Sequence, residues 1–521
     1  MKKRFLFVLL LVILGLSAYL RLYHISDYMT FLGDEGRDVL VAKNILEGDL
    51  TLLGPRSSAG DFFMGPAYYY MITPFLWLFR YDPVGPAVMV AVLSVATTWL
   101  IYFVGKKWFN QLAGLFAAAL YAVSPVVITY SHSSWNPNVL PFFALLLLYF
   151  LFTAVQSPQS MKRFLFVGFL LGIAIQLHYL ALLLCLTVAV YLIAADWYRH
   201  RRIVLMPLVK RYLSVFVGFL LGFSPFLLFE IRHGFPNIRT IFRFVFSDSA
   251  QSGYESGGTY LSTITDVFFR IFAKLVFYFP SPDRYQMFSP FQLDAFRIFI
   301  ILMIVGALIT LFVRTKNKLV LMLISLWLFL GILVLGFYKK SIYDYLFTFI
   351  FPLPFLLIGF FLSSFFTWGK NRTARILFSL IGLGLFIGIF IHNYNGMPFQ
   401  YSANRQKEQV KTIAEVVVNE ADGNPYNFAL ISNGNSDHAY RYYLDVLGNP
   451  PVVIDNPIMD PQRKTVTEQL IVVCEDPNCE PLGHPFFDVA SFGRAEVVSE
   501  QEVIVVKVFK LIHYDEQKSN E

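Results

Sequence analysis

The chain alternates long apolar runs with short polar stretches, and most runs lack the spacing of an amphipathic element. A helix that crosses a bilayer needs about 20 apolar residues. As a single helix, Phe164–Ala195 would be about 48 Å long, so a break is expected at residues 176–179. The pattern predicts about eleven transmembrane helices, near residues 5–20, 84–104, 112–130, 139–155, 164–177, 179–195, 213–230, 295–313, 319–337, 346–366 and 375–391.

Composition and charge agree with a membrane protein rather than a nucleic-acid-binding one. Hydrophobic residues make up 56% of the chain and charged residues 15%, against roughly 25% charged in soluble domains. The net charge of +7 comes from small basic clusters between apolar runs, which favour the cytoplasmic side. We therefore expect a multi-pass protein of the cell (plasma) membrane with a cytoplasmic N-terminus and a retained first helix, surrounded by membrane lipids and binding no nucleic acid.

Two domains are expected. Residues 1–392 form an all-α polytopic membrane bundle with outer loops at 21–83 and 231–294, and residues 393–521 form a small extracytoplasmic α/β domain. The first loop contains an aromatic run at 62–79, which favours one or two interfacial helices. The second contains a Gly/Ser-rich stretch at 247–258 and an amphipathic helix at 260–280. The C-terminal domain is expected to contain helices at 406–420 and 438–447 and strands at 427–432, 452–454, 469–473 and 503–511.

Cys474 and Cys479 flank a turn-forming Glu-Asp-Pro-Asn sequence. In an oxidising compartment this spacing suits a disulfide-closed loop. Free thiols remain an alternative. A metal knuckle fits less well, because no second ligand pair is evident.

The most informative motif follows the first apolar run and reads Phe-Leu-Gly-Asp-Glu-Gly-Arg-Asp over residues 31–38. Charged residues so close to the hydrocarbon usually face a cavity or a partner. The carboxylates of Asp34 and Glu35 suit deprotonation of a hydroxyl, and the Arg37 guanidinium suits a nearby phosphate. The alternative is an ordinary solvated loop whose acids and bases pair with each other.

The order of a first span, an outer loop opening with Asp34-Glu35 and an aromatic segment containing Gly65-Pro66 resembles the GT-C superfamily. Within it, the chain is similar to glycosyltransferase family 39, which includes protein O-mannosyltransferases and aminoarabinose transferases. The resemblance covers the region up to about residue 230 best. It implies an inverting hexosyl or pentosyl transferase at the outer face of the membrane. The donor would be a polyprenyl-phosphate sugar and the acceptor an envelope lipid, glycan or protein.

The resemblance also implies roles for individual residues. Asp34 matches the catalytic base, Glu35 a supporting carboxylate, and Arg37 an arginine near the phosphate. The aminoarabinose transferases carry Lys-Pro-Pro later in this loop, where this chain has Met64-Gly65-Pro66. The missing lysine puts lipid A as acceptor in doubt, and Arg56 is a candidate replacement for its charge.

Further candidate substrate-binding residues lie in three other segments. Residues 130–138 offer His132, Trp135 and Asn136 for sugar recognition, and a capped turn with an interfacial Trp is the alternative. At the expected helix break, His178 and Tyr179 either line a donor cavity or are buried packing. On the predicted outer side, Lys339, Lys340 and Tyr345 suit a lipid phosphate, with a simple interfacial anchor as the alternative.

Cofactor chemistry remains open. The chain has neither a P-loop nor a Rossmann glycine motif, which agrees with a lipid-linked donor. Asp34, Glu35 or Asp61 could ligate a divalent metal, although such donors can react without one. The main alternative function is a polyprenyl-linked saccharide transporter or flippase. Against it, no inverted repeat is evident, and the charged residues concentrate on one predicted face.

Overall fold

A computed structural model describes residues 2–57, 61–246, 259–338, 342–476 and 478–514. Within these ranges the chain is mostly helical. The α-helices are α1 Lys2–Leu22, α2 Ile25–Tyr28, α3 Gly33–Leu46, α4 Ala67–Leu78, α5 Val84–Trp108, α6 Gln111–Ala122, α7 Pro125–Ser131, α8 Leu140–Gln156, α9 Met161–Leu177, α10 Leu182–His200, α11 Leu205–Gly222, α12 Ser224–His233, α13 Pro236–Phe246, α14 Tyr260–Phe277, α15 Pro290–Arg314, α16 Lys318–Leu333, α17 Pro352–Ser364, α18 Arg372–Tyr394, α19 Gln406–Ala421, α20 His438–Val446 and α21 Phe487–Phe492.

Short 3₁₀ helices and four strands complete the described elements. The 3₁₀ helices are Asn136–Val139, Tyr179–Ala181, Pro282–Met287, Val334–Phe337, Asp344–Ile350, Phe365–Thr367 and Pro398–Gln400. The strands are β1 Asn427–Ile431, β2 Gln469–Cys474, β3 Ala495–Val503 and β4 Val506–His513.

The described residues contain eight helices long and apolar enough to span a membrane, and up to ten if each of two bent pairs counts as one span. The bent pairs are α6 with α7, at 62°, and Asp344–Ile350 with Pro352–Thr367, at 59°. The expected number was about eleven. The additional segment, 164–177, is the 17-residue helix α9, which is at the short end of the range that crosses a bilayer. The chain is a multi-pass membrane protein.

The break expected between residues 176 and 179 is confirmed. Helix α9 ends at Leu177, His178 is extended with φ −160° and ψ 135°, and a 3₁₀ turn leads into α10. Of the expected interfacial segments, the first contains the single helix α4 and the second the amphipathic helix α14. The Gly/Ser-rich stretch at 247–258 lies outside the described residues.

By internal contacts the chain divides into two units, and neither is continuous in sequence. Unit 1 comprises Met1–Tyr23, Leu50–Met71 and Val88–Ser402. Unit 2 comprises His24–Asp49, Ile72–Ala87 and Ala403–Glu521. Parts of the first outer loop are therefore built into the same unit as the C-terminal region.

Unit 2 contains a four-stranded sheet in the order β1-β2-β4-β3. Strands β1 and β2 are parallel, with Ala429 opposite Val472, and β4 pairs antiparallel with both β2 and β3. The core strands β1 and β2 are buried along their whole length. A disulfide joins Cys474 at the end of β2 to Cys479, as one of the sequence alternatives anticipated.

Two strand predictions need correction. Residues 452–454 do not form a strand. They follow Pro450 and Pro451, and only one backbone hydrogen bond is described for them, from Val452 N to Tyr426 O at 2.8 Å. The edge strand β3 was missed, because its three glutamates and exposed residues give no apolar alternation. Charged residues of this kind are common on sheet edges.

Candidate functional site

The acidic motif forms the first turn of α3. The helix begins at Gly33, so Asp34 and Glu35 both lie at its N-terminal end, where the helix dipole favours negative charge. Glu35 is buried, and its Oε2 accepts a hydrogen bond from the Leu32 backbone N at 3.2 Å. The Asp34 side chain is 53% exposed. Glu35 therefore fixes the start of the helix, and Asp34 is the carboxylate that a substrate can reach.

Arg37 lies between two carboxylates. Its Nη1 donates to Asp34 Oδ1 at 2.7 Å. Its Nε and Nη2 both donate to Asp38 Oδ1, at 3.0 and 2.7 Å. These bonds link Asp34 and Asp38 through one guanidinium on a helix, and such pairing of acids with a base is also what the alternative interpretation of the motif expects. A phosphate would compete with these carboxylates for the guanidinium.

Asp38 is the residue of this group that the sequence interpretation did not select. Its side chain is fully buried, and among the described residues its Oδ2 has no hydrogen-bond partner. Burial raises the pKa of Asp38 to about 7; Arg37 opposes this shift, while Asp34 and Glu35 add to it. The signal in the sequence was its spacing, since residues four apart share one helix face.

The C-terminal part of unit 2 supports this helix directly. The Gly33 backbone N donates to Asn435 Oδ1 at 3.0 Å, and Asn435 Nδ2 donates to Glu475 Oε1 at 2.8 Å. Glu475 Oε1 also accepts a 2.8 Å bond from the hydroxyl of Tyr440. An added Cβ at Gly36 would lie 2.2 Å from the Ala439 backbone N, so α3 packs against α20 at a distance that only glycine allows.

In unit 1, four predicted residues from three separate segments come together. The rings of Trp135 and Tyr345 are 4.6 Å apart, and those of His178 and Tyr179 stack at 4.6 Å. His178 and Tyr345 are 6.0 Å apart. Phe62, from the first outer loop, packs against Tyr179 at 6.1 Å. The result is an aromatic cluster that adjoins the helix break.

Two other residues of this region have structural contacts. Buried Asn136 donates from Nδ2 to the Leu177 carbonyl, which ties the Trp135 loop to the helix break. His132 is buried, and its Nδ1 pairs with the carbonyl of Ile128 one turn earlier at 2.9 Å. These contacts give both side chains a structural role, and their part in sugar recognition stays a prediction.

The remaining predicted residues are less informative. Arg56 and Asp61 form an exposed ion pair beside the short bridge between Arg56 and Phe63. Lys339 and Lys340 lie outside the described residues. In the part of the chain that the structure describes, no three His, Cys, Asp or Glu side chains form a group that could hold a metal ion. The metal-ligand roles suggested for Asp34, Glu35 and Asp61 therefore stay predictions.

A cationic pair next to Tyr345 was also missed. On α14, Arg270 Nη1 and Lys274 Nζ bind the two carboxylate oxygens of Asp344, at 3.2 and 2.9 Å. Arg270 also pairs with Asp266 at 2.8 Å. Asp266, Arg270 and Lys274 line a cavity of about 700 Å³ in unit 1, which Arg297 and Tyr285 also line. The sequence signal was the helical spacing of Asp266, Arg270 and Lys274.

Comparison with known proteins gives a family match for part of the chain. The model of the dolichyl-phosphate-mannose-protein mannosyltransferase family matches residues 64–229. Among curated proteins, none matches the chain significantly by sequence.

Solved structures match the fold over nearly the whole chain. ArnT from Cupriavidus metallidurans in the apo state is 14% identical with a TM-score of 0.62, covering 98% of each chain. Its structure bound to undecaprenyl phosphate is 15% identical with a TM-score of 0.58, covering 98% of this chain and 97% of that one. The oligosaccharyltransferase AglB from Archaeoglobus fulgidus, in complex with an inhibitory peptide and a dolichol-phosphate, is 12% identical with a TM-score of 0.53. The match covers 90% of this chain and 69% of that one.

Proposed function

Because this chain belongs by its fold to the GT-C superfamily, we propose that it is an integral membrane glycosyltransferase. It moves a sugar from a polyprenyl-phosphate donor to an acceptor at the outer face of the membrane. The observation that carries the proposal is the half-exposed Asp34 carboxylate, oriented by Arg37 on the first turn of α3.

The donor class is inferred from the relatives. ArnT has been solved with undecaprenyl phosphate and AglB with a dolichol-phosphate. The description of the matched family names dolichyl-phosphate-mannose. All three are polyprenyl phosphates or their sugar derivatives. The same class is proposed for this chain, with the sugar and the acceptor left unassigned among hexoses or pentoses and among envelope lipids, glycans and proteins.

In the proposed reaction, Asp34 accepts the proton of an acceptor hydroxyl. The hydroxyl oxygen attacks the anomeric carbon as the bond from that carbon to the phosphate oxygen breaks. Polyprenyl phosphate leaves with the bonding electrons. A single displacement of this kind inverts the anomeric configuration. Arg37 keeps the Asp34 carboxylate oriented and adds positive charge near the leaving phosphate.

The aromatic cluster of Trp135, His178, Tyr179 and Tyr345 is proposed to recognise the sugar, since aromatic faces pack on the apolar faces of sugars. Arg270 and Lys274 adjoin this cluster through Asp344. They are proposed, together with Lys339 and Lys340, to attract the donor phosphate. Because Asp344 and Asp266 already pair with the two described cations, a phosphate would have to replace an existing ion pair.

The proposed orientation places the N-terminus in the cytoplasm and the C-terminal region outside the cell. It is supported by the basic clusters between spans, such as Arg199–Arg202 and Arg314–Lys318, which would then all face the cytoplasm. In this orientation α3 lies on the outer side with the C-terminal region. The reaction would take place there without a soluble nucleotide sugar.

The test is sugar transfer by purified protein in membranes supplied with a panel of polyprenyl-phosphate sugars and envelope acceptors. Wild type should consume one donor, and Asp34→Asn should remain folded but lose at least about 100-fold in rate, the lower range for a general base. The exposed Asp49, at the other end of α3, gives the matched control Asp49→Asn, which should keep wild-type activity.

Transfer by Asp34→Asn at the wild-type rate would refute the assignment of the base. If the wild type translocates a lipid-linked saccharide across the vesicle membrane without consuming it, the transporter alternative is correct.

A further inference from the structure

Unit 2 contains an open cleft of about 540 Å³ at the carboxyl ends of its two parallel strands. Strand β1 ends at Ile431 and β2 at Cys474, and the segments that follow them form the walls. In open α/β sheets, ligands bind outside the carboxyl ends of parallel strands. The volume is in the range of small-molecule sites, roughly 300–1,000 Å³.

One wall is polar and held in place. Asn433 Nδ2 donates to Asp476 Oδ2 at 3.1 Å, and the Asn478 backbone N donates to Asp476 Oδ1 at 2.9 Å. The Cys474–Cys479 disulfide closes the loop that carries Asp476 and Asn478. Ser432 and Glu480 also line the cleft. Amide, hydroxyl and carboxylate groups are the donors and acceptors that bind sugar hydroxyls.

The cleft also has an apolar, exposed part. Phe486 is 42% exposed and Leu482 50% exposed. The His484 ring meets Phe486 edge-to-face at 4.6 Å, and His484 Nδ1 accepts a hydrogen bond from the Phe486 backbone N at 3.3 Å. The aromatic ring is therefore oriented by its neighbour but left open to a ligand. An exposed aromatic face and fixed polar groups in one cleft suit the apolar face and the hydroxyls of a sugar ring.

We infer that this cleft binds a saccharide that is neutral or carries an amine. No lysine or arginine is found among the described residues that line it, whereas Asp476 and Glu480 contribute two carboxylates. An acidic sugar or a phosphate would meet repulsion there, and an amino sugar would be attracted.

The cleft adjoins the support of the acidic motif. Glu475, next to Asp476 in sequence, accepts from Asn435, which in turn accepts from the backbone N of Gly33. A saccharide in the cleft would therefore rest on the loop that holds α3. The bound saccharide is therefore assigned as the glycan part of the acceptor. This assignment rests on the proposed glycosyltransferase function.

The experiment measures binding of three trisaccharides to the full-length protein in lipid nanodiscs. The probes are chitotriose, which is neutral, the glucosamine trimer, which is cationic, and trigalacturonic acid, which is anionic. The glucosamine trimer and chitotriose should bind, in that order of affinity, and trigalacturonic acid should not. Phe486→Ala and Asn433→Ala should each weaken binding about tenfold, the size expected when one aromatic or polar contact is lost.

The matched control is Phe487→Ala, because Phe487 adjoins Phe486 in sequence and is 48% exposed but does not line the cleft. It should bind like wild type. Three outcomes would each overturn the inference: none of the three probes binds, trigalacturonic acid binds as well as the others, or Phe486→Ala and Phe487→Ala bind equally. Sugar transfer that depends on Asp34 would stand in all three cases, so the cleft and the proposed function can fail separately.

Discussion

The residues of the acidic motif differ in what their surroundings allow them to do. Asp34 and Asp38 share the Arg37 guanidinium, but Asp34 is half exposed while Asp38 is fully buried. A buried carboxylate is costly to ionise unless it is fully paired, and only Oδ1 of Asp38 is paired among the described residues. Asp34 is therefore suited to chemistry, and Asp38 to orienting the arginine.

Asp38 makes stability depend on pH. Burial raises its pKa from 3.8 to about 7, so between these values the folded state holds a proton that the unfolded state has lost. The free energy of unfolding should therefore fall as the pH rises through this window. Asp38→Asn has no titrating group at this position, so its Tm should rise relative to that of wild type as the pH increases from about 4 to about 7. A thermal series in detergent, with Asp49→Asn as control, measures the difference, and a constant difference would contradict the prediction.

Asn435 is expected to position the motif without touching substrate. Removing its side chain deletes the bond to Gly33 N and the bond to Glu475. In Asn435→Ala, kcat should fall roughly fivefold to tenfold with little change in donor KM. The reason is that α3 loses the hydrogen bonds that hold it in place, each worth about 1 kcal/mol. The exposed Asn419 gives the control Asn419→Ala, which should behave like wild type. A rise in KM at constant kcat would instead indicate a binding role.

At the scale of elements, two helices meet through paired glycines. Gly168 and Gly172 on α9 face Gly218 and Gly222 on α11, and an added Cβ at Gly218 would lie 1.9 Å from the Leu165 carbonyl oxygen. Small residues spaced four apart let membrane helices approach closely. This packing explains how the short helix α9 is held beside the break at His178.

The close contact between α9 and α11 predicts that a larger residue at Gly218 destabilises the protein, whereas one at a helix position without such contact does not. Gly218→Val should lower the free energy of unfolding by about 1–3 kcal/mol or more, since the helices must separate to admit the side chain. Gly388→Val, in α18, is the matched control, because apart from its own stretch of helix no described atom lies within 4 Å of its added Cβ. Size-exclusion chromatography after graded heating measures both. Equal losses for the two variants would show that helix propensity, not packing, is responsible.

The bent pair α6–α7 has its own support. Arg21, fully buried near the end of α1, donates to the carbonyls of Tyr121 and Ala122 at 3.0 and 2.9 Å. These carbonyls belong to the last turn of α6, which the bend ends, and Tyr121 O also accepts a 3.4 Å bond from the Ser124 backbone N. The Nε of Arg21 donates to Ser94 Oγ at 2.7 Å. Arg21, which the sequence interpretation placed just after the first span, thus caps a broken helix.

At the scale of the whole molecule, the two structural units do not follow the order of segments along the chain. The acidic helix α3 lies early in the chain but belongs to the same unit as residues 403–521. The C-terminal region is therefore more than an attached module, because it supplies Asn435 and α20 to the support of the motif.

The proposed orientation predicts labelling from opposite sides of the membrane. In intact cells, Glu502→Cys on β3 should react with a membrane-impermeant maleimide, because the C-terminal region is proposed to lie outside. Arg202→Cys, between α10 and α11, should react only after permeabilisation. The native Cys474 and Cys479 are joined in a disulfide and should not react, and unmodified wild type gives the background. The reverse pattern would contradict the orientation.

The sequence alone determined the membrane class, the break at His178, most C-terminal elements and the place of the acidic motif. These features depend on local apolar runs, on helix length against bilayer thickness and on spacing within one segment. Only the tertiary structure decided that Asp38 is buried, that Asn435 holds Gly33 and that Trp135, His178 and Tyr345 form one cluster. Such contacts join residues far apart in the chain, and no local pattern encodes which distant segments will meet.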